Sequence, residues 1–124
     1  MQIQVSTEHA IRIVWYLHRH GRGVHATQDI SNALNVSYPL FIKIAGMLKR
    51  AGILSAVQGR NGGYQLSKPA SEVSLYDILL ATEGEVKLLR RHNGADNPCE
   101  VRSYFQEVQE TVIDALSRRN VAEL

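Results

Sequence analysis

Residues 37–66, SYPLFIKIAGMLKRAGILSAVQGRNGGYQL, decide how the rest of this 124-residue chain is read. Ser37 is a capping residue type, and Pro39 is tolerated in the first turn of the helix that follows. Leu40, Ile44, Met47, Leu48 and Ala51 recur at i, i+4, i+7, i+8 and i+11, the spacing of one buried helical face. Gly52 stands where a C-terminal cap belongs. A β-branched run, ILSAVQ, then leads into Gly59-Arg60-Asn61-Gly62-Gly63 and a second strand-like run, YQLSK. Asn-Gly between two such runs marks a hairpin. The expected fold is mainly α with a small β-hairpin wing. It is a winged helix-turn-helix whose helix would enter a DNA groove while the wing follows the backbone or minor groove.

With that face buried, the opposite stripe of the helix carries Tyr38, Ile42, Ala45 and Lys49. An Ile on a solvent stripe suits apolar contact with a thymine methyl, or else packing on a neighbouring helix. No Arg, Asn or Gln lies on this stripe near the helix N-terminus, so polar base readout falls to Gln58 and Arg60 of the wing. Thr27, Gln28, Ser37 and Pro39 at the helix starts, with Asn61 and Gly62 at the wing tip, complete the candidate DNA-contacting set.

Towards the N-terminus, residues 1–7 read as a short strand or arm, and Ser6 or Thr7 as the cap of a helix over 8–20. Ala10, Ile13, Val14 and Leu17 form its core face, widened by Ile11 and Trp15, and Gly21-Arg22-Gly23 ends it. Thr27 reads as the cap of a short helix, QDISNALN, with Ile30, Ala33 and Leu34 facing inward. Asn35-Val36 turns into the helix at Ser37, the order of a helix-turn-helix.

Towards the C-terminus, Pro69 closes the wing. Ser74 and Asp77 have capping-box spacing at the head of SLYDILLATEG, where Leu75, Ile78 and Leu79 face inward and Gly84 ends the helix. Residues 85–98 lose periodicity and contain the turn dipeptides Asn93-Gly94 and Asn97-Pro98. A long helix is expected over 99–119. Val101, Tyr104, Phe105, Val108, Val112, Ala115 and Leu116 fall on one narrow arc. Such a helix is longer than a small winged domain needs, so part of the stripe should meet a second subunit; packing within the chain is the alternative. The expected division is a DNA-binding domain at 1–84, a sensory-type loop at 85–98, and a dimerisation helix and tail at 99–124.

Charge divides the same way. Residues 1–68 hold eight Lys or Arg against two acids, a balance of +6, whereas residues 69–124 stand at −4. A basic first half carrying a helix-and-wing pattern is the footprint of a nucleic-acid binder. Hydrophobic content of 44% suffices for a core, and no apolar run of membrane-spanning length or signal peptide occurs. With one cysteine, a cytoplasmic protein is expected. No nucleophile-base-acid set, Walker loop, dinucleotide fingerprint or metalloprotease helix is present, so the chain reads as a non-enzyme. The competing class is a winged-helix protein-interaction module without DNA binding.

MQI…ST, DIS…L, SYPLFIKIAGMLKRAGIL, SAVQGRNGGYQLSKPA and VSLYDILLATEG together resemble the Rrf-two family of bacterial transcription regulators, which includes IscR-, NsrR- and CymR-type repressors. The match covers nearly the whole chain and is most specific in G-R-N-G-G-Y-x-L. The resemblance implies a homodimer with two winged domains, a long crossing dimerisation helix, and a palindromic or pseudo-palindromic operator on double-stranded DNA, with a small-molecule or redox signal.

Cluster-binding members carry three cysteines between the helix ending near Gly84 and the long helix. Here only Cys99 corresponds; Arg91 and Asn93 lie near the other two positions, and Arg102 stands where some members place a further ligand. The expectation is a protein with no metal and no iron–sulfur cluster, in which Cys99 at a helix start is a redox-sensor candidate or an inert packing residue. His18 and His20 do not share a helical face, and His25 lies in a turn. A mixed Glu8, His9, His92 and Cys99 site is the remaining metal chemistry.

Overall fold

The computed structural model describes residues 2–88 and 100–124. Helix α1 spans Val5–Arg19. It starts three residues before the expected Glu8, so Ser6 and Thr7 lie inside it rather than capping it. The cause is tertiary. Thr7 is fully buried. Its hydroxyl lies 2.7 Å from the Thr82 hydroxyl and also donates to the Glu83 carboxylate, which in turn accepts the Gln4 N–H at 3.2 Å. Ala10, Ile13, Val14 and Leu17 are buried as expected. Trp15 stays partly exposed, with the Arg19 guanidinium 5.5 Å from its ring centre.

Helix α2 spans Thr27–Leu34 and helix α3 spans Tyr38–Arg50. Ala26, not Thr27, occupies the N-cap of α2, and the buried face is Ile30, Ser31 and Leu34, leaving Ala33 exposed. Between the helices Asn35 takes the left-handed conformation (φ 53°), where its short side chain costs little. The Val36 N–H donates to Ser31 O at 3.0 Å and the Asn35 N–H to Asn32 O at 3.2 Å, closing α2 in a Schellman motif. Arg12 of α1 reaches the same turn, its Nη2 donating to Leu34 O at 3.1 Å.

Ser37 caps α3, accepting the Leu40 N–H at 3.4 Å. Gly52 closes it at φ 76°. The buried stripe of α3 is rotated from the expected one. Phe41, Ile44, Ala45 and Leu48 are buried, Leu40 and Met47 are only half-buried, and Ala51 is exposed. Ala45 therefore does not belong to the outer stripe. The aromatic edge contact of Phe41 with Tyr64 in the wing, at 5.6 Å, accounts for the roll.

Strands β1 (Leu54–Val57) and β2 (Gly63–Leu66) pair antiparallel, Leu54 opposite Leu66 and Val57 opposite Gly63. His25 is not merely in a turn. It exchanges two backbone hydrogen bonds of 2.9 Å with Tyr64, adding an edge bridge to the hairpin. Helix α4 spans Leu75–Glu83 and starts in the expected capping box, Ser74 and Asp77 exchanging bonds of 3.0 Å. Ile78 and Leu79 are buried, whereas Leu75 is half-buried.

Helix α5 spans Glu100–Arg118 and buries no residue. After it the chain returns to the winged head. Val121 is fully buried, its N–H donates to Val73 O at 3.0 Å, and Leu75 N–H donates to Arg119 O at 2.9 Å. One core thus joins α1, α2, α3, the hairpin, α4 and the tail. Among the described residues no helix is long and apolar enough to cross a membrane.

Candidate nucleic-acid interface

The hairpin stands beside the N-terminal half of α3 because its root is held from three sides. Phe41 packs on Tyr64, His25 bridges Tyr64, and Gly63 lies so close to the His25 carbonyl that a Cβ there would meet it at 2.0 Å. Gly62 is equally constrained, since a Cβ would fall 2.1 Å from Val57 O. The Gly62 N–H donates to Gly59 O at 3.0 Å, which puts Arg60 and Asn61 at the apex of a four-residue turn. Both apex residues are exposed.

Between α3 and the wing runs a groove of about 310 Å³, lined by Thr27, Tyr38, Ile42, Ala56, Val57, Gln58, Gly59, Gly62, Gly63 and Tyr64. Five sequence-derived candidates, Thr27, Tyr38, Ile42, Gln58 and Gly62, meet in it. The others do not line it. Gln28, Pro39, Lys49, Arg60 and Asn61 are exposed, and Ser37 spends its side-chain oxygen on the α3 cap. Lys49 follows Ile42 by two turns and shares its stripe. Ala56, Val57, Gly59, Gly63 and Tyr64 were missed in the sequence. The alternation of the strands is the signal for them, but it does not say which face of the hairpin turns to α3.

Among the described residues every ion pair lies between positions 85 and 123: Lys87 with Glu85, Arg118 with Asp114, and Arg119 with Glu123. Lys43, Lys49 and Arg50 of α3 and Arg60 of the wing are exposed and make no ion pair among the described residues. Helix α5 presents Val101 (65% exposed), Tyr104 (64%) and Phe105 (41%), continued by half-buried Val108, Val112 and Leu116.

Helix, tight turn, capped helix and glycine-pinned hairpin define a winged helix-turn-helix protein. Residues 3–124 match the family model Rrf2, described as iron-dependent transcriptional regulator, and the chain belongs to that family. It is 32% identical to protein aau3 of Rhizobium meliloti over 80% of this chain and 64% of that one. It is 26% identical to the HTH-type transcriptional regulator NsrR of Halalkalibacterium halodurans, over 80% and 68%. The chain thus spans about two thirds of these relatives' length. The solved structure of CymR, the global cysteine regulator of B. subtilis, superposes with a TM-score of 0.82 at 20% identity, covering 98% of this chain and 94% of that one.

The family description names iron, and the donors of this chain bear on it directly. The sequence holds a single cysteine, short of the thiolates that cysteine-ligated clusters use. Among the described residues no three of His, Cys, Asp and Glu converge. Glu8 is exposed, and the half-buried His9 has a shielded Nδ1 with no hydrogen-bond partner among the described residues. His92 and Cys99 lie outside the described residues, as do Arg91 and Asn93. This donor set does not fit a cluster held by cysteines.

Proposed function

We propose that this chain binds double-stranded DNA as a homodimer and regulates transcription as a repressor, reading a palindromic operator with one winged head per half-site. In this division residues 1–84 read DNA and residues 99–124 pair the subunits, with 85–98 as the sensory segment. The observation that carries the reading is the groove between α3 and the wing, with the apex residues Arg60 and Asn61 beside it and cations on both elements that have no acidic partner among the described residues. Phosphates supply that partner and fix the register of the head on the duplex. Support for the dimer is the α5 stripe, exposed at Val101, Tyr104 and Phe105 and only half-buried beyond them, since a 19-residue helix without a buried residue gains stability when a second chain packs on it.

A gel shift against the promoter of its own gene, with footprinting and a reporter assay, tests the reading. Protection is expected over half-sites about 34–36 Å apart, with lowered transcription from the bound promoter. Arg60→Ala should weaken binding by about 1–3 kcal/mol. Val108→Asp should give monomers by light scattering that hold DNA poorly. A protein without affinity for any duplex at low salt is instead an interaction module, and a Val108→Asp dimer of unchanged stability assigns the stripe another role.

A further inference from the structure

Polar readout of bases relies on side-chain amides for adenine and on Arg or Lys for guanine. Helix α3 contains no Asn, Gln, Asp or Glu, and its one Arg is its last residue. Lys43 does not line the groove. The side chains that α3 contributes there are Tyr38, 55% exposed, and Ile42, 37% exposed. On the same helix Phe41, Ile44, Ala45 and Leu48 are buried, so Ile42 is not held outward for want of an inward face. From the wing the groove receives Val57, also partly exposed, and a single side-chain amide, that of Gln58.

An exposed Ile on a helix whose Lys43, Lys49 and Arg50 make no ion pair among the described residues suits an apolar surface carried on a polyanion. The apolar group on the major-groove edge of a base pair is the C5-methyl of thymine. We infer that Ile42 is a specificity-determining residue that reads a thymine methyl in each half-site, one turn along α3 from Tyr38. This inference deepens the DNA reading proposed above and rests on it. It makes the substrate a duplex whose half-sites carry a thymine at a fixed position, recognised by its methyl group and not by its hydrogen-bonding edge.

The experiment selects a tightly bound duplex from a random library with the full chain, then replaces each thymine in turn by deoxyuridine, which removes the methyl group alone. Wild type should lose affinity roughly three- to tenfold at one position per half-site, the scale of one buried methyl group. Ile42→Ala should bind the parent duplex more weakly and be insensitive to uridine at that position, while Ile42→Val should retain the sensitivity. Because Ile42 is outside the core, both variants should unfold at the wild-type temperature. A flat uridine series in wild type overturns the inference while leaving DNA binding intact. So does an equal uridine effect in wild type and Ile42→Ala, which points to duplex shape. Failure to retain any duplex at low salt overturns the DNA reading together with this one.

Discussion

Phe41 and Phe105 are the two phenylalanines of the chain, and they sit in opposite circumstances. Phe41 is fully buried between α3 and the wing, whereas Phe105 on α5 remains 41% exposed beside Tyr104. The head closes its core on itself, with α1 contributing four fully buried apolar residues and the tail returning Val121 to it. Helix α5 does the reverse: it buries no residue, leaving Val101, Tyr104 and Phe105 exposed and Val108, Val112 and Leu116 half-buried. An apolar face is buried where the chain supplies the other wall, and in the proposed dimer a second chain supplies it for α5. The head's stability should therefore be a property of one molecule, and that of α5 should depend on concentration.

The sharpest way to break this contrast is to truncate both rings. Phe41→Ala should cost about 3–5 kcal/mol in urea unfolding, at any protein concentration. Phe105→Ala should cost little in dilute protein and progressively more as concentration rises. Equal, concentration-independent losses would mean that α5 packs within its own chain. Next in size is Gly63→Ala, where a Cβ would collide with the His25 carbonyl. A loss of about 1–3 kcal/mol is expected, with the wing displaced, DNA affinity reduced, and the dimer unchanged by light scattering. A dimer that falls apart in this variant would show that the wing and α5 are not separate regions.

Ser74→Ala removes one half of the capping box of α4, and a loss of about 1 kcal/mol in thermal unfolding is expected. The smallest effect is at Lys49. Lys49→Ala should leave stability within about 0.5 kcal/mol of wild type, since the residue is exposed and makes no ion pair among the described residues. The same change should lower the slope of binding against salt by roughly one unit. A sequence-dependent loss would instead move Lys49 from backbone contact to base contact.

Ser37 as the α3 cap, Gly52 after that helix, the Ser74–Asp77 box and the glycine-rich turn around Arg60 and Asn61 were all legible in the sequence. Each is satisfied by bonds within a few residues, so the local sequence contains the whole cause. The candidate site was legible only in part: Tyr38, Ile42, Thr27, Gln58 and Gly62 meet in one groove, while Gln28, Ser37, Pro39, Lys49, Arg60 and Asn61 do not line it. The tertiary structure decided the rest. The start of α1 depends on Thr7 meeting Glu83, 76 residues away. The roll of α3 depends on whether Phe41 or Leu40 finds a partner, and Tyr64 of the wing supplies it to Phe41. The His25–Tyr64 bridge and the burial of Val121 likewise join segments far apart in the chain. Periodicity marks a helix as one-sided to within a rotation of one residue, about 100°. The choice within that arc belongs to whatever packs against the helix.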